Sequence, residues 1–337
     1  LQKDGILFKM RRTQDLPDKE SATMFFQDCK LSHQAQITGI SHSVKEIFPP
    51  DLLDLTQLQK EANIRYGYTA SEVYDIAQSL YEKKLISYPR TSSRYLTEDV
   101  FDSLSPIMAR LLSWELFPAA KGTGGIDISN LSRHVISAEK ANVHHAIIIT
   151  GIRPGNMSEK EMQVYRLVAG RMLEAFMAPC RIETTNVEAV CAAQHFKAEQ
   201  TRIIEAGWHD VFMHSDMVPK SGYSVNELPE VEKGDNLNIC GCNMVHKKEL
   251  PVDPFTDAEL VEYMELNGLG TVSSRTNIIR TLVNRKYIRY SGKYIVPTPK
   301  GMFTYETIRG KKIADTSLTA DWEKQLTGLE SGMITGQ

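Results

Sequence analysis

From Thr69 to Arg94 the chain reads TASEVYDIAQSLYEKKLISYPRTSSR. Thr69 and Glu72 have the spacing of a capping box, in which a hydroxyl and a carboxylate satisfy the free N–H groups at a helix start. Val73, Ile76, Ala77, Leu80 and Tyr81 then recur at i, i+3, i+4, i+7 and i+8, the apolar face of a helix. Pro89 cannot continue that helix and biases Tyr88 toward extended backbone, so the pattern predicts a helix ending just ahead of a bend that presents a phenol. An amphipathic helix needs partners for its apolar face, and the neighbouring sequence offers them. Leu55, Leu58 and Ala62 share a helical face ending near Gly67, and residues 98–117 read as helical. Ser158-Glu-Lys-Glu161 caps a further helix with Met162, Tyr165, Val168, Met172 and Phe176 on one stripe, stopped by Pro179.

On both sides of this helical block the period drops to two. Upstream, Ile6, Phe8 and Met10, then Met24 with Phe26 and Ile37 with Gly39, read as extended, so residues 1–48 are expected to be mostly strand, ended by Pro49-Pro50. Downstream, residues 181–190, 196–204 and 236–240 alternate polar and apolar; 219–227 read as a turn-rich connection, and 119–132, with Gly122, Gly124 and Gly125, as a surface loop. The economical fold class is α+β, with a discontinuous antiparallel β domain at 1–48 and 180–250 interrupted by a helical domain at 49–179. From Pro251 the chain is helical again. Thr256-Asp-Ala-Glu259 is a third capping box with Leu260, Val261 and Met264 behind it. After Gly268 and Gly270 a second helix runs from about Ser273 with Ile278, Ile279, Leu282 and Val283 as its inward face, and residues 287–296 fold back around Ser291-Gly292 as a hairpin. Helix, short turn, helix, hairpin is the outline of a winged helix-turn-helix over 251–337.

The 337 residues are 42% hydrophobic and 24% charged, and no apolar run approaches the roughly 18 residues of a membrane span. Residues 1–13 carry Lys3, Asp4, Lys9, Arg11 and Arg12 with no apolar stretch, which argues against a signal peptide and for a cytoplasmic chain. Five cysteines, an odd number, point to reduced thiols rather than a disulfide framework. Cys240 and Cys242 with His246 suggest a zinc site, but no second Cys or His pair sits at finger-like spacing, so no metal is expected on this chain. A net charge of −3 gives no global attraction to nucleic acid. The C-terminal section is locally different: Arg275, Arg280, Arg285, Lys286, Arg289, Lys293, Lys300, Arg309, Lys311 and Lys312 stand against the single acid Glu306. They form either a solvated basic face or a patch for nucleic acid.

The chemistry-bearing candidates cluster behind the first helix. A tyrosine hydroxyl, with a reference pKa near 10, is a weak nucleophile unless its phenolate is stabilised. Arg90, two residues from Tyr88, supplies a permanent cation whose fork also fits a pair of phosphate oxygens, and Thr91, Ser93 and Arg94 add hydroxyls and a further cation. The same residues also read as a helix-end Tyr-Pro turn with an arginine on the surface. His144 and His145 can donate to a phosphate oxygen or serve structurally. Thr271, Ser273, Ser274 and Arg275 open the second helix of the basic module, where free N–H groups favour a phosphate and where the hydroxyls also cap.

Residues 86–96, Ile86-Ser-Tyr88-Pro-Arg90-Thr-Ser-Ser93-Arg94-Tyr-Leu96, resemble the active-site signature of type IA DNA topoisomerases, and of the topoisomerase III branch in particular. Further matches follow in family order: Leu58 to Asn63, Ala77 to Leu85, His144-His-Ala-Ile147, Gly268-Leu-Gly-Thr271 with Arg275, Tyr287-Ile288, Pro297-Thr-Pro-Lys-Gly301 and Leu318 to Glu323. The resemblance implies that Tyr88 attacks a phosphate of single-stranded DNA and holds the 5′ end covalently, that Arg90 steadies the phosphate and tyrosine, and that His144 is the active-site histidine, with the role of His145 open. Thr91, Ser93, Arg94, His145, Thr271, Ser273, Ser274, Arg275 and Arg280 are the expected DNA contacts. The β domain is expected to form an arch, and resealing to need no ATP, in keeping with the absence of a Walker-type loop. Ser92 stands where the family commonly has Asp, and Ile149 where a Pro is usual, the second expected to alter only a loop. The family's Mg2+-binding D-x-D cluster has no counterpart, because no two aspartates here lie two residues apart. The expectation is a fragment lacking an upstream metal-binding domain and cut short at Gln337. The rival class is a non-enzymatic winged-helix DNA-binding protein.

Overall fold

The alternating segments pair into one antiparallel sheet. The computed structural model describes residues 1–114, 116–117, 126–128, 131–141, 144–213, 228–245 and 253–330. Its strands β1 (Gln2–Lys3), β2 (Ile6–Leu7), β3 (Arg11–Arg12), β4 (Gln34–Ile47), β5 (Cys180–Cys191), β6 (Gln194–Glu205) and β7 (Asn236–Asn238) lie in the order β2-β1-β7-β4-β5-β6-β3. The long β4 and β5 pair from Gln36↔Val190 to Ile47↔Cys180, with register shifts at Ile37/Gly39 and, between β5 and β6, at Arg181/Ile182. Such irregularities add local twist to a long ribbon. Ile37, Val187, Ala189, Ala198 and Leu237 put one sheet face into a core shared with Phe8 and Cys29. The described residues of 1–48, 178–209 and 228–245 form this compact β unit.

Residues 1–48 are not mostly strand. Helix α1 (Lys19–Ser32) occupies the stretch in which Met24 and Phe26 were expected to be extended. Asp18 caps it, accepting the Ser21 N–H at 2.8 Å. A two-residue alternation is too short to set a period against such a cap, and Cys29 is the side chain that the helix buries.

The second compact unit holds the described residues of 49–177, 210–213 and 253–330, so the helical block and the basic C-terminal module pack as one body. Its helices are α2 (Leu55–Tyr66), α3 (Ala70–Glu82), α4 (Glu98–Asp102), α5 (Leu104–Ser113), α6 (Ala138–Ala141), α7 (Glu159–Phe176), α8 (Asp210–Met213), α9 (Asp257–Leu266), α10 (Val272–Asn284), α11 (Pro299–Ile308) and α12 (Thr316–Glu330). The capping boxes at Thr69, Ser158 and Thr256 all form. Helix α7 is buried almost all round, with Val164, Tyr165, Val168, Met172 and Leu173 inaccessible, and it carries an internal ion network. Arg171 bonds Glu174 at 2.8 Å and Glu61 at 3.0 Å, and Glu61 also takes Arg65 at 3.1 Å. Burial outweighs the arginine and raises the Glu174 carboxyl to about 7.

The module's hairpin pairs β8 (Ile288–Ser291) with β9 (Tyr294–Pro297) around a two-residue loop whose Gly292 takes φ 61°. Gly301 in α11 is obligatory for a different reason: a Cβ there would lie 2.0 Å from the Tyr287 carbonyl oxygen, so the Pro-Thr-Pro-Lys-Gly motif lets a helix abut the hairpin backbone. The inward face of α10 differs from the expected one. Arg275, Thr276 and Ile279 are buried and Ile278 is exposed. The reason is that α10 faces polar partners: Gln59 donates to both the Ala70 carbonyl and Thr276 Oγ1 at 2.9 Å. Asp257 accepts the Ala70 N–H and the Tyr290 hydroxyl, and Lys60 pairs with Glu262 at 2.6 Å. Ala70, Val261, Met264, Ile279 and Ile295 make the small apolar core beneath.

The 219–227 connection, residues 119–125, 129 and 130 of the expected surface loop, and His246 lie outside the described residues. No helix among the described residues is long and apolar enough to cross a membrane. No disulfide joins any of the five cysteines, all of which are described.

Candidate active site

Two segments far apart in sequence are stitched together at the end of α3. Ile86 bridges Ile149, the Ser87 N–H donates to the Ile148 carbonyl at 2.8 Å, and Ser87 Oγ donates to the Ala146 carbonyl at 3.1 Å. On the far side of Tyr88, Thr91 Oγ1 donates to the His144 carbonyl at 3.0 Å, while the Thr91 carbonyl accepts the Leu55 N–H at 3.1 Å. Tyr88 is thus held by its neighbours on both sides, with Pro89 buried between. Its half-buried ring lies 4.5 Å from the exposed His144 ring, centroid to centroid, and 5.4 Å from Tyr81 in an edge-on arrangement.

Arg90 is held from α3. Its Nη2 donates to Gln78 Oε1 at 3.2 Å, and its guanidinium carbon sits 5.1 Å from the Tyr74 ring centre. Its Nε is buried without a hydrogen-bond partner among the described residues. Tyr74, Gln78 and Tyr81 recur at i, i+4 and i+7, so one helical stripe beside the apolar face touches both Arg90 and Tyr88. None of these three was singled out as a site residue from the sequence. The available signal was the recurrence of Tyr74, Gln78 and Tyr81 along one helix just ahead of Tyr88.

The remaining candidates have other surroundings. Thr91 and Ser93 are buried, 3% and 4% exposed, and their hydroxyls bond within the loop: the Ser93 N–H donates to Thr91 Oγ1 at 3.0 Å, and Ser93 Oγ accepts the Tyr95 N–H at 3.1 Å. Arg94 Nε pairs with Asp54 at 2.7 Å, and the other Asp54 oxygen caps α2 through the Gln57 N–H. Arg94, Ser92 and Lys140 line an open groove with Asp51, Asp54, Glu139 and Glu265. Serine at 92 therefore spares this groove a fifth carboxylate. Ile149 is fully buried and bridged to Ile86, and its N–H points at Met172 Sδ, 3.1 Å away. His145 Nδ1 donates to the Ala146 carbonyl at 2.7 Å.

At the start of α10, Thr271 and Ser273 are exposed, and Ser274 Oγ accepts the Thr271 N–H at 2.8 Å. Arg275 is buried between Glu265 at 3.4 Å and Thr56 at 3.5 Å. Arg280 forks onto both Asp75 oxygens at 2.9 Å and bonds Ser71 at 2.7 Å. The structure brings the Tyr88 and His144 rings together, holds Arg90 on the α3 stripe that also touches Tyr88, and ties Arg94, Arg275 and Arg280 to carboxylates. Among the described residues no group of three or more His, Cys, Asp or Glu side chains has the geometry to hold a metal ion.

A family model described as DNA topoisomerase matches residues 2–337. The DNA topoisomerase 3 of Bacillus licheniformis is 32% identical over 324 residues, covering 89% of this chain and 44% of the relative. That of Shouchella clausii is 31% identical over 361 residues, covering 98% and 48%. The chain belongs to the type IA DNA topoisomerases, in the topoisomerase III branch. It spans just under half the length of these curated relatives. Full-length topoisomerase I from Thermotoga maritima has the same mixed fold, with a TM-score of 0.74 at 23% identity over 98% of this chain and 54% of that one.

Proposed function

We propose that this topoisomerase chain carries the strand-cutting tyrosine of an enzyme that opens and reseals single-stranded DNA. The observation that carries the reading is the Tyr88 ring set against His144, with Arg90, which has no carboxylate partner among the described residues, held by the α3 stripe that also touches Tyr88. Tyr88 Oη attacks a backbone phosphorus; the Oη–P bond forms and the P–O3′ bond breaks. The phenolic proton is lost, and the departing 3′ oxygen takes up a proton to leave as a hydroxyl. The 5′ end stays esterified to Tyr88 until that 3′ hydroxyl attacks in return and Oη regains its proton. The phosphodiester energy is kept in the tyrosyl ester, so the cycle needs no ATP. Arg90 offers charge and fixed donors to the phosphate oxygens, and His144 a donor beside the attacking ring.

Thr91 and Ser93 support this reading as the residues that shape the loop, with Arg94 at the groove edge. In the same proposal, α9, α10 and the β8–β9 hairpin act as a winged-helix-like module. The exposed start of α10, with Thr271, Ser273 and Ser274, meets a DNA phosphate there, the β unit forms an arch, and the enzyme works in the cytoplasm. Mg2+ enters at the level of the family alone, and no step here runs through it.

The test is Tyr88→Phe in the full-length protein with a 3′-end-labelled single-stranded oligonucleotide on denaturing gels. The variant is expected to lose the covalent adduct while binding the oligonucleotide nearly as before, because only the nucleophilic oxygen is removed. An adduct surviving in Tyr88→Phe overturns the assignment. A parent protein that binds DNA and never forms one is a binding protein only.

A further inference from the structure

Tyr74 has no place in the reaction as described, yet it is the aromatic face on which Arg90 rests. Arg94, Arg171, Arg275 and Arg280 each pair with a carboxylate, whereas no ion pair to Arg90 exists among the described residues. Its orientation rests on the hydrogen bond that it donates to the Gln78 side-chain oxygen and on the Tyr74 ring. The difference matters chemically. A carboxylate would occupy guanidinium donors and oppose an incoming phosphate, whereas the negative face of a tyrosine ring attracts the cation and takes none of its N–H groups. Arg90 Nε is buried with no hydrogen-bond partner among the described residues, so this donor is not spent on another protein group. The same helix sets Tyr81 edge-on against Tyr88, so the spacing from Tyr74 to Tyr81 along α3 acts as a ruler between cation and nucleophile.

We infer that Tyr74 is a positioning residue for DNA cleavage, which fixes the Arg90 guanidinium by a cation–π contact while leaving its donors free for the scissile phosphate. The inference rests on the proposed role of Tyr88, and the experiment separates the two. Single-turnover adduct formation on the labelled single-stranded oligonucleotide is followed in the full-length protein at saturating DNA for parent, Tyr74→Leu, Tyr74→Phe, Arg90→Ala, the double variant Tyr74→Leu/Arg90→Ala, and Tyr88→Phe.

Tyr74→Leu is expected to slow adduct formation about tenfold, the worth of a partly desolvated cation–π contact, without changing oligonucleotide affinity. Tyr74→Phe keeps the ring face and restores the rate to within about threefold of the parent. In the Arg90→Ala background Tyr74→Leu has no further effect, a coupling that general loss of packing would not produce. A parental rate in Tyr74→Leu, equal losses in Leu and Phe, or independent effects of Tyr74 and Arg90 each overturn the inference. Because Tyr74 is half-buried, a folding defect in the Leu variant is checked by its thermal midpoint, and the Phe variant and the double-variant comparison decide the matter if that midpoint falls. Adduct retained in Tyr88→Phe would instead overturn the assignment of the nucleophile. Adduct lost in Tyr88→Phe with a parental rate in Tyr74→Leu overturns only the role of Tyr74.

Discussion

Asp257 joins three elements of the helical unit through one buried carboxylate, and its removal has a calculable consequence. The residue is 1% exposed; one oxygen accepts the N–H of Ala70, the first residue of α3, and the other accepts the Tyr290 hydroxyl at 3.1 Å. Helix α3 therefore has a second cap supplied by α9, beyond its own box at Thr69 and Glu72. Asp257→Ala strands the Ala70 N–H, itself 2% exposed, along with the Tyr290 hydroxyl. A stranded buried donor costs about 1–3 kcal/mol and a lost cap about 1 kcal/mol, which places the change near 3 kcal/mol. With a urea slope of about 3 kcal/mol per molar, the midpoint falls by about 1 M. Asp257→Asn keeps the volume: its oxygen accepts the Ala70 N–H, its amide donates to Tyr290, and the hydroxyl turns to accept. It also removes a charge whose burial raises the Asp257 pKa, so its cost is expected below about 1 kcal/mol. Circular dichroism at 222 nm follows the right unit, because every described α-helix except α1 belongs to it. A midpoint for Asp257→Ala within about 0.2 M of the parent, or an Asn variant as damaged as the Ala variant, would refute the capping argument.

Three further outcomes follow from particular contacts. Tyr165 is fully buried with no partner for its hydroxyl among the described residues, and burial holds its pKa far above the ordinary tyrosine value; Tyr165→Phe should raise the urea midpoint, by about 1–2 kcal/mol of stability, and a lower midpoint would contradict this. The β5–β6 turn holds Ala192 at φ 46° and Ala193 at φ 59°, left-handed values that favour Asn and Gly, so A192N/A193G should stabilise the hairpin by about 1–2 kcal/mol and slow hydrogen exchange of β5 and β6 about tenfold. Glu174 binds its proton more tightly folded than unfolded. Its contribution to stability is full below 4.5 and is lost as pH rises through about 7; Glu174→Gln should remove that part of the decline, as urea midpoints at several pH values will show, and an unchanged pH profile would place the proton elsewhere.

Helix starts were legible from residues three apart, because a cap is a local bond. Thr69 with Glu72, Ser158 with Glu161 and Thr256 with Glu259 all form as their spacing indicates. The strands β4 to β7 were legible where one face turns into the core, at Ala35 and Ile37, Val187 and Ala189, Ala198 and Leu237, because burial of one face imposes alternation. The family was legible because its motifs are strings of adjacent residues. Helix α1 escaped because its one buried side chain leaves little pattern to read.

What the chain alone did not decide was the state of each cation. Arg90, Arg94, Arg275 and Arg280 look alike in a sequence. Packing sets a carboxylate 40 residues away against Arg94 and another 205 residues away against Arg280, and sets an aromatic ring against Arg90. Whether a guanidinium is free to meet a phosphate depends on what lies opposite it. That is fixed by how α2, α3 and α10 pack, through contacts whose partners are remote along the chain, and no local pattern encodes it.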